Sequence, residues 1–172
     1  MSKYYFTVND LPPKKNGAKS MWNRPLERKR LVSLRQKALE AFDGQLPLEG
    51  NIKIRLKIYI AENKPFIGDL DTFLTGICDG LMRIAPRSKL EGDFWSQPEY
   101  IDIHPEKFAV IKDDGEVISI QGEKIIGETK QHRYEITIED QSKIKTENRK
   151  WVEELFDAEE KFGTRLKHEK RE

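Results

Sequence analysis

A regular alternation of apolar and charged side chains between residues 51 and 60 limits the possible folds of this chain more than any other feature. Every second side chain there is a branched aliphatic, and three basic residues stand between them. The apolar positions are Ile52, Ile54, Leu56, Ile58 and Ile60, and the basic positions are Lys53, Arg55 and Lys57. Successive side chains of a β-strand point to opposite faces of a sheet. The stretch is therefore predicted to be a strand with one buried face and one face in water.

Two helices are predicted to cover the apolar face of that strand. Pro25 is a favourable first-turn residue for a helix that extends to about residue 42. A second helix is predicted at residues 69–82, because its apolar residues recur at helical spacing. These residues are Leu70, Phe73, Leu74, Ile77 and Leu81.

The sequence predicts three further strands, each shorter than the one at residues 51–60. Residues 4–8 alternate and predict a first strand. Residues 116–120 and 134–138 predict a pair of strands joined by a polar, glycine-containing link, and residues 123–126 could extend one of them. The expected fold class is α+β, a mixed β-sheet with helices packed on one face in the order β-α-β-α-β-β, plus a C-terminal helix.

The length of 172 residues allows one domain with a sizeable core and an appendage. We predict a domain at residues 1–140, with an ordered, aromatic-rich insertion at about residues 83–112. Residues 141–172 are predicted to form an amphipathic helix or tail, whose apolar stripe is Trp151, Leu155, Phe162 and Leu166. No apolar run approaches membrane length and no signal peptide opens the chain. We therefore expect a cytoplasmic protein without a membrane partner.

Carboxylates stand at the start of the second predicted helix and again further along the chain. Asp69 and Asp71 lie at the helix start, and Asp79 lies two turns later on its polar side. Asp113 and Asp114 precede a predicted strand. Carboxylate oxygens are the ligands that hard divalent cations prefer. A structural interpretation stays open as well, because aspartates cap helix starts and Asp-Gly is a common hairpin turn.

Basic residues are concentrated between residues 14 and 37, although the net charge of the whole chain is only +1. This segment holds nine basic residues and one acid. The residues expected to contact nucleic acid are Lys14, Lys15, Lys19, Arg24, Arg28, Lys29 and Arg30. Trp22 lies among them, and a basic segment with an aromatic residue suits phosphate contacts and base stacking. The alternative is a solvated helix face, and both interpretations can hold together.

These motifs, taken together, resemble the RusA-type family of Holliday-junction resolvases. That family's core has Asp-Leu-Asp-Asn, Lys three residues later, then Asp-Ala-Leu, and further on Asp-Asp-x-x-Val. The present chain has Asp-Leu-Asp at residues 69–71, Asp-Gly-Leu at 79–81 and Asp-Asp-Gly-Glu-Val at 113–117. Pro-Pro-Lys-Lys-Asn at residues 12–16 is similar to the family's Pro-Pro-x-x-Asn entrance motif. The order of elements agrees over most of residues 3–139.

The resemblance implies that Asp69, Asp71 and Asp114 are the catalytic, metal-binding carboxylates, with Asp79 and Asp113 as secondary candidates. Two family residues are replaced, because the family Asn falls on Thr72 and the catalytic Lys falls on Thr75. Three cations from loops could replace the lost charge, namely Lys64, Lys112 and Arg87. The segment between the helix and the second acidic block is also longer than is usual in the family.

The expected function is that of a Mg²⁺- or Mn²⁺-dependent, structure-selective DNA endonuclease of recombination or repair. Its expected partners are branched DNA and a second copy of the chain in a homodimer. The alternative is a DNA-binding or assembly protein on the same fold, whose nuclease has degenerated because Thr75 stands in place of Lys. A zinc site is not expected, because the three histidines are scattered and lack a paired His or Cys.

Overall fold

The computed structural model describes residues 2–42, 46–62 and 67–141 and shows a four-stranded mixed sheet with helices. The strands are β1 (Ser2–Val8), β2 (Ile52–Ala61), β3 (Val117–Thr129) and β4 (Arg133–Asp140), and the longer helices are α1 (Pro25–Ala41) and α2 (Leu70–Leu81). The predicted α+β class and the order of elements are confirmed. The predicted C-terminal helix and Lys64 lie outside the described residues.

The sheet has the order β1-β4-β2-β3, in which β4 is antiparallel to both neighbours and β2 is parallel to β3. The prediction that the last two strands pair with each other is wrong, since β2 lies between them. The predicted polar link is instead part of β3. This strand is polar because it forms an edge of the sheet, where exposed side chains are usual. A short loop connects β3 to β4 across the end of β2. The Ala61 N–H of β2 donates a hydrogen bond to His132 Nδ1 in this loop.

The apolar face of β2 forms the centre of the core, as its alternation predicts. All five of its apolar side chains are buried, with at most 1% of their surface exposed. Leu34 and Ala38 of α1 and Phe73 and Ile77 of α2 pack in the same cluster. Full burial of one such aliphatic contributes roughly 1.5–3 kcal/mol, so this face dominates the stability of the sheet. No helix among the described residues is long and apolar enough to cross a membrane.

The segment that follows α2 packs onto α1 and forms a second apolar cluster. Trp95 lies in a short 3₁₀ turn (Phe94–Ser96), and its indole N–H donates to the carbonyl of Trp22 at 3.1 Å. Met21, Leu31 and Ile84 complete this cluster. The predicted insertion is therefore anchored to α1 by aromatic side chains.

Arg35 of α1 joins the two clusters from a fully buried position. Its guanidinium donates five hydrogen bonds of 2.6–3.2 Å to backbone carbonyls at the end of α2 and in the insertion. The acceptors are Gly80, Met82, Ile103, His104 and Phe108. Burial lowers the pKa of Arg35, while the carbonyl dipoles favour the charged form. Arg35 is thus a structural residue, although it contributes to the basic count of its segment.

Candidate functional site at the start of α2

Asp69 and Asp71 lie on an exposed edge at the start of α2, as the sequence predicts. Asp69 occupies the N-cap position, but its carboxylate forms no capping hydrogen bond. Within the described part of the chain neither carboxylate forms a hydrogen bond or an ion pair. The capping interpretation therefore does not account for the Asp69 side chain. Both groups present oxygen ligands to solvent.

The threonines at the two family positions are bonded to the backbone of the same helix turn. The Thr72 hydroxyl donates to the Asp69 carbonyl at 2.8 Å, and the Thr75 hydroxyl donates to the Asp71 carbonyl at 2.8 Å. Both hydroxyls follow the local pattern in which a helical Ser or Thr bonds a carbonyl three or four residues back. Neither provides the positive charge of a lysine.

Asp114 precedes β3 and lies near enough to Cys78, in the later half of α2, to influence it. Burial raises the pKa of the Cys78 thiol to about 11, with smaller contributions from Asp79 and then Asp114. Cys78 is seven residues after Asp71, which corresponds to roughly 10 Å along a helix. Asp113 behaves as a turn residue, because its carboxylate accepts a hydrogen bond of 2.7 Å from the Gly115 N–H.

The topology explains why Asp114 is remote from the other two carboxylates. Because β2 and β3 are parallel, α2 must return from the end of β2 to the beginning of β3. Asp69 follows the end of β2, whereas Asp114 precedes the beginning of β3. Among the described residues no three Asp, Glu, His or Cys side chains form a group that could hold a metal ion. The structure thus places Asp69 and Asp71 at the start of α2, and within the described residues Asp114 forms no metal-binding group with them.

Two lysines converge on Gly68, directly before Asp69. The Lys124 ammonium donates to the Gly68 carbonyl at 2.7 Å. The end of the Lys14 side chain lies against the other side of this glycine, with Nζ 3.0 Å from the position that a Cβ would occupy. Gly68 has a φ of +129°, a conformation that favours glycine. The edge therefore combines two carboxylates with two ammonium groups.

Lys14 was predicted to contact nucleic acid, but Lys124 was missed. Lys124 pairs with Ile58 in the register of the sheet and lies on the same face as Ile120, which is the face that α2 covers. The spacing of four residues between Ile120 and Lys124 could have placed this lysine on the face of the sheet that α2 covers. The polar composition of residues 121–129 indicates a link between strands instead, so the spacing was not used.

The loop that carries Lys14 is held firmly in place. The Lys14 N–H donates to the buried Glu27 carboxylate at 2.7 Å, and the neighbouring Lys15 N–H donates to the Thr72 carbonyl at 3.2 Å. The Arg24 guanidinium donates to the Lys14 carbonyl. Burial, Arg30 and Arg24 lower the pKa of Lys14, and Glu27 and Asp69 oppose them. The backbone of Lys14 is thus fixed, and the lowering of its pKa comes first from burial.

A cleft of about 710 Å³ opens beside the later half of α2. Lys15, Lys19 and Arg83 line it, and Lys15 forms an ion pair of 2.6 Å with Asp79. Its volume is within the range of ligand pockets, and its lining includes basic residues from the loop before α1 and from the segment after α2. Lys112, a candidate for the replaced family lysine, instead pairs with Glu49 at 3.0 Å.

The other predicted nucleic-acid contacts do not form one uniform surface. Lys29 is exposed, and the Arg28 guanidinium lies 4.6 Å from the centre of the Phe94 ring. Arg30 is an exception, because only 8% of its side chain is exposed and it pairs with Glu27 at 3.2 Å. The prediction that Arg30 contacts nucleic acid is therefore not supported by its position, which is structural.

Comparison of the sequence with protein-family models and with curated proteins found no match.

Proposed function

We propose that this chain is a Mg²⁺- or Mn²⁺-dependent endonuclease that cleaves branched DNA in recombination or repair. The observation that carries the proposal is the edge formed by Asp69, Asp71, Lys14 and Lys124. Two carboxylates without protein partners lie there beside two ammonium groups. Such a combination suits a phosphodiester, which needs both a cation site and positive side chains.

The donor chemistry of Asp69 and Asp71 fits a magnesium ion even without Asp114. Mg²⁺ commonly takes one or two carboxylates and completes its coordination with water and substrate phosphates. Both side chains are exposed and form no hydrogen bond that a metal would have to displace. A bound ion would supply Lewis-acid activation of the phosphate and of a water. Asp114 is left out of the proposed ligand set because it precedes the beginning of β3, whereas Asp69 follows the end of the parallel strand β2, and no three such side chains in the described ranges form a metal-binding group.

The basic residues of this chain orient the strand. Lys14 and Lys124 contact phosphate at the carboxylate edge, and Lys15, Lys19 and Arg83 contact the flanking backbone along the cleft. Phosphate contacts fix the register of a nucleic acid without reading its sequence, which suits selection by structure. We take the acting form to be a homodimer, because a two-fold pair offers equivalent sites to the equivalent strands of a four-way junction.

A second candidate is a DNA-binding or assembly protein that does not cleave. Two observations favour it, namely the absence of Asp114 from the edge and the bonding of Thr75 to the Asp71 carbonyl. The basic edge and the cleft would serve this function unchanged, and the two carboxylates would limit binding by repelling phosphate.

Incubation with a labelled four-way junction and with a linear duplex of the same sequence separates these candidates. In Mg²⁺ or Mn²⁺ the wild type should cleave the junction, and Asp71→Asn should bind it without cleaving. Asp102→Asn removes an exposed carboxylate elsewhere and should behave as the wild type. A wild type that binds the junction but leaves it intact in both ions would establish the binding function instead.

A further inference from the structure

We propose that Lys14 and Lys124 form a phosphate-binding subsite across Gly68, which holds one DNA phosphate beside Asp69 and Asp71. The inference rests on the proposed function, since it specifies how that edge holds its substrate. The chemical group bound is a phosphodiester of the DNA backbone.

The two ammonium groups reach Gly68 from separate parts of the fold. Lys14 belongs to the loop before α1, and Lys124 belongs to the edge strand β3. Lys124 is exposed at a position that faces α2, and its ammonium is fixed by the Gly68 carbonyl. Lys14 lies over the same glycine, and its Nζ is 5.3 Å from the centre of the Phe73 ring. Two independent elements therefore deliver positive charge to one point.

The two ammonium groups hold their positive charges without a direct salt bridge. Neither ammonium forms an ion pair with a carboxylate in the described ranges. Burial, Arg30 and Arg24 disfavour the charge of Lys14, while Glu27 and Asp69 favour it without forming an ion pair with its ammonium. By contrast, the neighbouring Lys15 is paired with Asp79. A phosphate between the two ammonium groups would supply the direct ion-pair partner that neither of them has in the described ranges.

Phosphate suits this position better than a carboxylate would. A phosphodiester has two charged oxygens that can each accept from a different lysine, and lysine binds phosphate as a point charge without strict geometry. The missing side chain at Gly68 leaves the space that the Lys14 stem occupies. A phosphate held there would lie directly before Asp69 in the chain, where the proposed metal ligands begin.

The salt dependence of DNA binding tests the subsite separately from cleavage. Binding of the labelled four-way junction would be measured over a range of salt concentrations in EDTA, where no cleavage occurs. The logarithm of the binding constant falls linearly with the logarithm of the salt concentration. Lys14→Gln and Lys124→Gln should each reduce the magnitude of this slope by roughly 0.9, and the double variant should reduce it by about twice that. Lys57→Gln is the matched control, because Lys57 is paired with Glu123 at 3.2 Å on the other face of the sheet. This control should keep the wild-type slope.

A second variant moves Lys14 without removing its charge. A Cβ on Gly68→Ala would approach the Lys14 side chain to about 3.0 Å, and alanine is strained at the φ of +129°. Because the Gly68 carbonyl also holds Lys124, both ammonium groups should be displaced, and the slope should fall by up to the change seen in the double variant. Circular dichroism and thermal unfolding would verify that each variant is folded.

The possible outcomes distinguish the subsite from the nuclease. If the folded lysine variants keep the wild-type slope while Asp71→Asn still abolishes cleavage, the subsite is overturned and the nuclease proposal stands. If the lysine variants flatten the slope but the wild type cleaves no junction in Mg²⁺ or Mn²⁺, the subsite stands and the nuclease proposal is overturned. If the wild type does not bind the junction, both are overturned.

Discussion

The carbonyl oxygen of Pro13 occupies the space in which Gly76 would carry a side chain. A Cβ on Gly76 would lie 2.0 Å from this oxygen and 2.7 Å from the Pro13 carbonyl carbon. Glycine is a poor helix former, so its presence in the middle of α2 needs a reason. Here it allows the loop of Lys14 and Lys15 to lie directly on the helix. The position of both lysines therefore depends on a glycine in another element.

Gly76→Ala should weaken DNA binding although residue 76 touches no ligand. Alanine favours a helix by roughly 0.5–1 kcal/mol over glycine, but the clash with Pro13 involves backbone that must move. Lys14 and Lys15 should be displaced. Junction binding, measured by fluorescence anisotropy over a range of salt concentrations, should therefore show a salt slope that is smaller by at least one phosphate contact.

Gly80→Ala is the matched control in the same helix. A Cβ there would approach the Leu34 side chain to 2.8 Å, and a leucine side chain can shift. This variant should change stability while it keeps the wild-type affinity for DNA. Wild-type affinity in a folded Gly76→Ala variant would show that the loop does not position the lysines.

Arg35→Met should destabilise the fold strongly. Five backbone carbonyls would lose the hydrogen bond from Arg35, although that of His104 keeps the N–H donors of Lys107 and Phe108, and an unsatisfied buried polar group costs roughly 1–3 kcal/mol. We expect a loss of at least about 3 kcal/mol in the free energy of unfolding, measured by urea denaturation. Lys37→Met, on the exposed side of the same helix, should change it by less than about 0.5 kcal/mol. Equal effects in the two variants would contradict the structural role of Arg35.

Neighbouring basic residues of α1 should separate into binding and structural residues. Replacing Arg28 and Lys29 together with Ala should flatten the salt slope of DNA binding by up to roughly two contacts and change stability little. Arg30→Ala should instead lower the melting temperature, because the buried Glu27 carboxylate would lose its cationic partner and keep the neutral N–H donor of Lys14. Salt titrations and thermal unfolding of the two variants measure both effects. A smaller salt slope in Arg30→Ala without a lower melting temperature would indicate that Arg30 contacts DNA after all.

The local pattern of the sequence predicts the helices and strand β2 well but predicts long-range placement poorly. The bounds of α1 and α2 agree with the predicted helices within one residue, since each is set by its own periodicity and first turn. The alternation of β2 likewise predicts which face is buried. Strand pairing is different, because a link of three residues can cross a neighbouring strand, and nothing local indicates this crossing.

The candidate site shows the same limit. Asp69 and Asp71 are two residues apart, so their common position at the start of α2, at the N-cap and in the first turn, follows from the sequence. The position of Asp114 depends on the parallel pairing of β2 and β3, which sequence periodicity does not determine. Lys124 was missed because the polarity of an edge strand is similar to that of a loop. The sequence predicts the relative positions of residues within one helix or strand. It does not predict the relative positions of residues that only the pairing of strands brings near each other.

Alkylation of Cys78 provides a direct test of where Asp114 lies. The pKa of this thiol is raised from 9.0 to about 11, chiefly by burial and then by Asp79 and Asp114. At pH 8 the thiolate should therefore be about a hundredfold scarcer than in an unperturbed cysteine, and iodoacetamide should react far more slowly with the native protein than with the unfolded one. Cys78 is the single cysteine of the chain, so mass spectrometry reports its labelling without ambiguity.

Asp114→Asn should accelerate this labelling, and Asp71→Asn should not. A nearby negative charge disfavours the thiolate, so its removal lowers the pKa of Cys78 and raises the thiolate fraction at every pH below that pKa. Because Asp114 is exposed, the acceleration should be less than about tenfold, which corresponds to one pKa unit. A wild-type labelling rate in Asp114→Asn would indicate that Asp114 does not lie near Cys78. The arrangement in which Asp69, Asp71 and Asp114 bind one metal would then have to be considered again. Acceleration in Asp114→Asn alone would support a catalytic edge that holds its metal with two carboxylates of this chain.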